Sequence, residues 1–190
     1  MNDAELRGLL AFLREAERLK TVTRTAWTSD GGRESTAEHT WRLGLFALSL
    51  RPWFPELDFE RVLAMALVHD LGEALHGDIS APAQAGAPSK SAQERRDLGQ
   101  LLAPAPAAVR DRVLALWEEY EAAATAEARF VKAVDKLETI LQHNQGRNPA
   151  DFDYAFNLGY ARGATEGHPI IVRLRAELDA GTRSRAEGSS

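Results

Sequence analysis

His39, His69, Asp70 and Asp135 are the residues of this 190-residue chain whose types and settings point to chemistry. His39 falls in the first turn after Ser35-Thr36-Ala37-Glu38, a capping-box pattern with a hydroxyl at the N-cap and Glu three residues on. His69-Asp70 closes the apolar run AMALVHD, just before Gly72. Asp135 sits inside FVKAVDKLETIL, beside Val131 and Val134, where helix propensity does not explain it. A carboxylate taken out of water needs a partner, and a cation is a good one. Imidazole and carboxylate together suit divalent first-row metals from Mn²⁺ to Zn²⁺, and four such ligands leave positions for water and a substrate oxygen. Neighbouring helical residues differ by about 100° in direction. His69 and Asp70 therefore share an ion only if it lies over the groove between them, near the helix end. Taken singly, each residue also has a plain structural role: His69 in the core, Asp70 at a helix end, Asp135 paired with Arg129 or Lys132.

The elements that must position these residues are helical. Ala occurs 32 times, and Val and Ile together 12 times. Ala is the best helix former, whereas β-branched residues favour strands. Residues 4–19 carry Leu6, Leu9, Leu10, Leu13 and Leu19 on one stripe. Residues 20–34 lose that period, and TSDGGRE reads as a loop. A helix then runs from Ser35 to about Leu50, stopped by Pro52 and Pro55. Asp58 caps the helix that delivers His69-Asp70. The Ala-, Pro-, Gly- and Ser-rich stretch 80–91 is a loop, either a lid or a connector. Further helices are expected over 92–102, 107–122, 126–144 (capped by Thr125), 152–163 and 169–180. The expectation is an all-α bundle with a metal site between helices, in a single domain over residues 1–180. Residues 181–190 read as a disordered tail.

The order His39, His69-Asp70, Asp135 resembles the H…HD…D signature of the HD-domain metal-dependent phosphohydrolases. The stretches LKTVTRTAW (19–27), ESTAEHTWR (34–42), ALVHDLGEALHGDI (66–79) and LWEEYEAAATAEARFVKAVDKLETILQ (116–142) are similar to the branch of YfbR-like 5′-deoxynucleotidases and their eukaryotic relatives. The resemblance spans about residues 6–175 and implies a helical HD-domain fold with the ion between helices. It implies one divalent cation, Mn²⁺ or Co²⁺ ahead of Mg²⁺, Fe²⁺, Ni²⁺ and Zn²⁺, on His39, His69, Asp70 and Asp135. It implies hydrolysis of deoxyribonucleoside 5′-monophosphates to nucleoside and phosphate. The family's acidic pair falls on Glu73 and Asp78: Glu73 to orient or deprotonate the water, Asp78 for proton transfer or contact with a substrate hydroxyl. Its Arg and Trp before the first ligand fall on Arg24, to grip phosphate, and Trp27, to wall the sugar. The interval from Trp27 to His39 is shorter than in the family. Lys136 and Glu138 follow the last ligand as supporting contacts. His76 is a departure from the family pattern and reads as exposed or as an outer contact. His143 and His168 read as structural.

Composition narrows the alternatives. No Cys means no disulfide, thiol nucleophile or Cys-ligated cluster. A net charge of −5 argues against a nucleic-acid polymer as partner, because phosphate binding needs a basic face. The opening MNDAELRGLL shows no basic-then-apolar leader, and no apolar run is long enough to span a bilayer. The expectation is a cytoplasmic enzyme with a small nucleotide substrate, working as a homodimer like its relatives. The main rival keeps phosphohydrolase chemistry on a triphosphate or an alarmone. A di-iron oxygenase needs more ligands than five His supply, and a non-catalytic regulatory module fits poorly with an intact Glu73 and Asp78.

Overall fold

A computed structural model of the chain describes residues 1–77 and 90–188. Eight α-helices and one small hairpin make up the described residues. They are α1 (Asp3–Ala16), β1 (Thr23–Trp27), β2 (Arg33–Ser35), α2 (Thr36–Leu50), α3 (Phe59–Val68), α4 (Lys90–Leu102), α5 (Ala107–Ala122), α6 (Ala126–Gln145), α7 (Tyr154–Gly159) and α8 (Pro169–Gly188).

The helix starts follow the expected caps. Ser35 and Glu38 close a capping box at α2, Asp58 accepts from the Glu60 and Arg61 amides at α3, and Thr125 accepts from the Ala128 amide at α6. Each satisfies amides that the first helical turn leaves without partners.

Two apolar clusters hold the helices together. Leu43 and Ala47 of α2, Val62 and Met65 of α3, Val131, Val134 and Leu137 of α6, and Ile171 of α8 fill the larger one. Phe12 of α1, Leu98, Leu101 and Leu102 of α4, and Trp117 of α5 fill the second, together with Leu71 and Ala74. Those last two belong to a 3₁₀ turn, Leu71–Ala74, that continues the chain beyond α3. Gly72 in this turn lets α4 lie close: a Cβ there would stand 2.8 Å from the Glu94 carbonyl oxygen and Cβ.

Three elements differ from the sequence expectation. Residues 23–27 and 33–35 pair as an antiparallel hairpin, strands absent from the helical expectation, around the expected loop at 28–32, with Thr23 opposite Ser35 and Trp27 opposite Arg33. Gly31 near its tip has φ 97°, a conformation that glycine adopts without strain. The helix expected over 152–163 ends at Gly159; Ala161 turns left-handed (φ 52°), and a 3₁₀ turn, Arg162–Thr165, follows. The last helix continues to Gly188, past the expected boundary at 180. Polar anchors carry it there: the Thr182 hydroxyl donates to Asn144 Oδ1 at 2.9 Å, and Arg185 donates to the Gly146 carbonyl at 2.8 Å.

Candidate metal centre

α2, the end of α3 and α6 bring the four expected residues into one buried place. His39 is 0% exposed, on the inner face of α2 one turn after its cap. His69 is the C-cap of α3, and Asp70 begins the turn beyond it. Departure from helical geometry at this point is what lets two successive residues face one spot. His69 Nε2 lies 3.1 Å from Asp70 Oδ2. His39 Nε2 lies 3.7 Å from the same oxygen and 3.2 Å from Asp135 Oδ1.

The donor atoms are aimed by partners outside the cluster. His69 Nδ1 donates to the Ala66 carbonyl at 2.8 Å, which leaves the Nε2 lone pair facing inward. His39 Nδ1 meets the buried Glu138 carboxylate at 2.5 Å, with the same result. Arg42 holds Glu138 in turn, Nε to Oε1 at 2.6 Å. Asp135 Oδ2 accepts from the Tyr120 hydroxyl at 2.8 Å and pairs with Lys136 Nζ at 2.9 Å, so Arg129 and Lys132 are not its partners. Lys132 pairs with Glu121, and Arg129 donates to the carbonyls of Ala123 and Ala124.

His39 Nε2, His69 Nε2 and Asp70 Oδ2 are buried and engaged in no hydrogen bond. Burying such atoms unsatisfied is costly. Two donors each about 2.1 Å from one ion stand roughly 3.0–3.4 Å apart at right or tetrahedral angles. The observed separations lie close to that range. His39, His69 and Asp70 could together hold a metal ion, and this donor set fits a divalent one.

The charge balance follows the geometry. Burial opposes ionisation of Asp70, but His69, His39 and Arg24 outweigh it and hold the carboxyl below the usual range. Burial likewise opposes the Asp135 charge, and Lys136 and His39 overcome it. Glu34 goes the other way: burial, with Glu138 nearby, lifts it to about 7 against the pull of Arg24.

Around the cluster stand the other expected residues. Arg24, on β1, reaches Asp70 (3.5 Å), Glu34 (3.4 Å) and the Thr139 hydroxyl (3.0 Å). Glu73 is 2% exposed, 3.4 Å from the Thr36 hydroxyl and 3.1 Å from Lys90 Nζ. Trp27 packs edge-on to Phe152 and under the Arg33 guanidinium, and its carbonyl accepts from Gln142. These contacts lie off the metal cluster. Asp78 and most of the 80–91 stretch lie outside the described residues. His76 is exposed and bonded through Nδ1 to Asp97 at 2.8 Å. His143 bonds Asn157, and His168 stacks on Phe54.

Glu34, Arg42, Tyr120, Lys90 and Glu94 were not singled out from the sequence. Glu34 and Arg42 flank the capping box, where charge reads as solvated surface; Tyr120 reads as part of an apolar stripe. Glu94 pairs with Lys90 at 3.2 Å. Burial lifts its pKa to about 7, with Lys90 opposing. The folded protein therefore keeps this proton to a higher pH than the unfolded chain does. The group's contribution to stability falls as pH rises from about 4.5 to about 7. Glu94→Gln is expected to gain about 1–2 kcal/mol over wild type at pH 8 and little at pH 4. Denaturant unfolding at the two pH values measures it; an equal effect at both would contradict this assignment.

Comparison with known proteins agrees with the arrangement. A family model described as HD domain matches residues 16–172. The human protein 5′-deoxynucleotidase HDDC2 is 34% identical over 184 residues, 92% of this chain and 86% of that protein. The Schizosaccharomyces pombe protein 5′-deoxynucleotidase hdd1 is 35% identical over 148 residues, 75% of this chain and 74% of that one. Among solved structures, a Magnetospirillum magnetotacticum protein described as a predicted metal-dependent phosphohydrolase superposes with TM-score 0.80 at 29% identity, covering 98% of each chain. With its ordered His, His-Asp and Asp on three packed helices, this chain belongs to the HD-domain family.

Proposed function

We propose that the protein is a metal-dependent 5′-deoxynucleotidase, releasing phosphate from deoxyribonucleoside 5′-monophosphates. The observation that carries the reading is the convergence of three buried, unbonded donor atoms, His39 Nε2, His69 Nε2 and Asp70 Oδ2, in a chain about one-third identical to proteins named 5′-deoxynucleotidases. His39, His69, Asp70 and Asp135 would hold the ion, with Mn²⁺ or Co²⁺ first in line. When bound, the ion polarises the phosphate and lowers the pKa of a water.

The remaining work belongs to the protein. Arg24 is in reach of the Asp70 carboxylate and offers a planar fork to phosphate oxygens. Glu73 orients the attacking water and takes its proton, and Asp78 serves the leaving group or a sugar hydroxyl. Trp27 is assigned to the sugar side. Phosphoryl transfer is mostly positioning and charge stabilisation, so no covalent nucleophile is needed. Cytoplasmic work on free nucleotides, as a homodimer, completes the reading. Among the described residues no helix is long and apolar enough to cross a membrane.

The test is phosphate release by purified protein from all mono-, di- and triphosphates with Mn²⁺, Co²⁺, Mg²⁺ or Zn²⁺. Deoxynucleoside monophosphates should be cleaved faster than ribonucleotides, and di- and triphosphates poorly. Equal rates on AMP and dAMP would remove the sugar selectivity, and preferred cleavage of triphosphates would move the protein to a different phosphohydrolase class.

A further inference from the structure

Helix α2 is apolar on both sides. Its inner face packs Leu43, Ala47 and Leu50 into the core. Its outer face presents Trp41 (67% exposed), Leu45 (48%) and Leu48 (46%). Large apolar side chains exposed side by side on one helix face mark an interaction surface. Glu38, Trp41, Leu45 and Leu48 follow one another at spacings of three, four and three, the spacing of a seam between two helices.

Gly44 lies in the middle of this stretch. A Cβ there would meet nothing within 4 Å, and its backbone angles are not the left-handed ones that favour glycine. Nothing in its own chain calls for a glycine that weakens the helix relative to Ala. A second backbone packed against this face would use the gap.

We infer that the outer face of α2 is the homodimer interface, with the two copies of α2 packed antiparallel across a two-fold axis between positions 44 and 45. In that register, residues whose numbers sum to 89 face each other. Leu45 of one copy seats on Gly44 of the other, Trp41 meets Leu48, and Glu38 meets Arg51. Glu38 and Arg51 are both exposed. A bulky side chain faces a gap, a ring faces a branched aliphatic chain, and a carboxylate faces a guanidinium; the symmetry makes every pair twice. A parallel arrangement in register would instead set Trp41 on Trp41 and Glu38 on Glu38. This self-complementarity is what selects a second copy over an unrelated protein. The inference rests on the homodimer part of the reading above and is independent of the substrate.

Sedimentation equilibrium and single-cysteine cross-linking test it in this otherwise Cys-free chain. Wild type should be a dimer. Gly44→Leu, which the monomer has room for, should weaken dimerisation at least tenfold with undiminished helix content by circular dichroism. Leu45→Cys should oxidise to a covalent dimer, since the glycine lets the backbones come near disulfide range. Trp41→Cys mixed with Leu48→Cys should cross-link to each other, and neither should cross-link efficiently to itself. A monomeric wild type overturns both the homodimer and this surface. A dimer that ignores Gly44→Leu and gives no such cross-links overturns this surface alone. It would shift attention to the exposed Leu6, Leu10 and Leu13 of α1.

Discussion

Glu73→Gln should lower kcat by about 10²–10⁴-fold, the usual contribution of a positioned general base, while metal content and KM stay near wild type. The carboxylate is almost fully buried, yet its described contacts are Thr36 and Lys90 and not the histidines. Gln keeps the shape: its carbonyl can accept from Lys90 while its NH2 can donate to the Thr36 hydroxyl, so the turn that carries it should survive. What it loses is the capacity to take a proton. Metal analysis together with steady-state kinetics separates the outcomes. Near-normal turnover means the water is activated without Glu73. Loss of metal means Glu73 is itself a ligand, and the proposed division of labour fails.

The sequence carried the residues of the buried His/Asp cluster more clearly than their surroundings. Asp135 was legible because a carboxylate in an apolar helical stripe is anomalous, and His69-Asp70 because a charged pair ends an apolar helix. Glu138 followed from its place one turn after Asp135. Glu34 and Tyr120 were not legible. Glu34 is buried as the middle residue of β2, beside Arg24 of β1, and the helical periodicity of the chain gives no sign of those two strands. The hairpin's own cues were present: Thr and Val recur through VTRTAW, and Asp30-Gly31 is a hairpin-turn signal. The tail was misjudged for a related reason. Beyond residue 180 the apolar period fades, and α8 is held by Thr182 and Arg185 reaching groups on other elements, contacts that no local pattern encodes.

Asp70→Asn should fail differently from Glu73→Gln, by losing the metal. Asp70 Oδ2 is the atom shared by the site: 3.1 Å from His69 Nε2, 3.7 Å from His39 Nε2 and 3.5 Å from Arg24 Nη1. The amide removes a negative charge from a place lined by two imidazoles and a guanidinium, and it can turn an N–H toward the ion. Removing an outer partner of a metal ligand already costs about 10–100-fold in affinity, so loss of a ligand's own charge should exceed that, and activity should vanish. Thermal unfolding gives a readout independent of turnover. A ligand bound only by the folded state stabilises it by about 2.7 kcal/mol at a hundred times Kd. Wild type and Glu73→Gln should therefore both show a rise in Tm with added Mn²⁺ or Co²⁺, and Asp70→Asn should not. Glu138→Gln belongs between them. It still accepts from His39 Nδ1 but no longer balances the Arg42 charge, so its Tm response should need more metal and then recover. If Asp70→Asn binds the ion as wild type does, the ion sits elsewhere, and the three unbonded atoms of this cluster need another explanation.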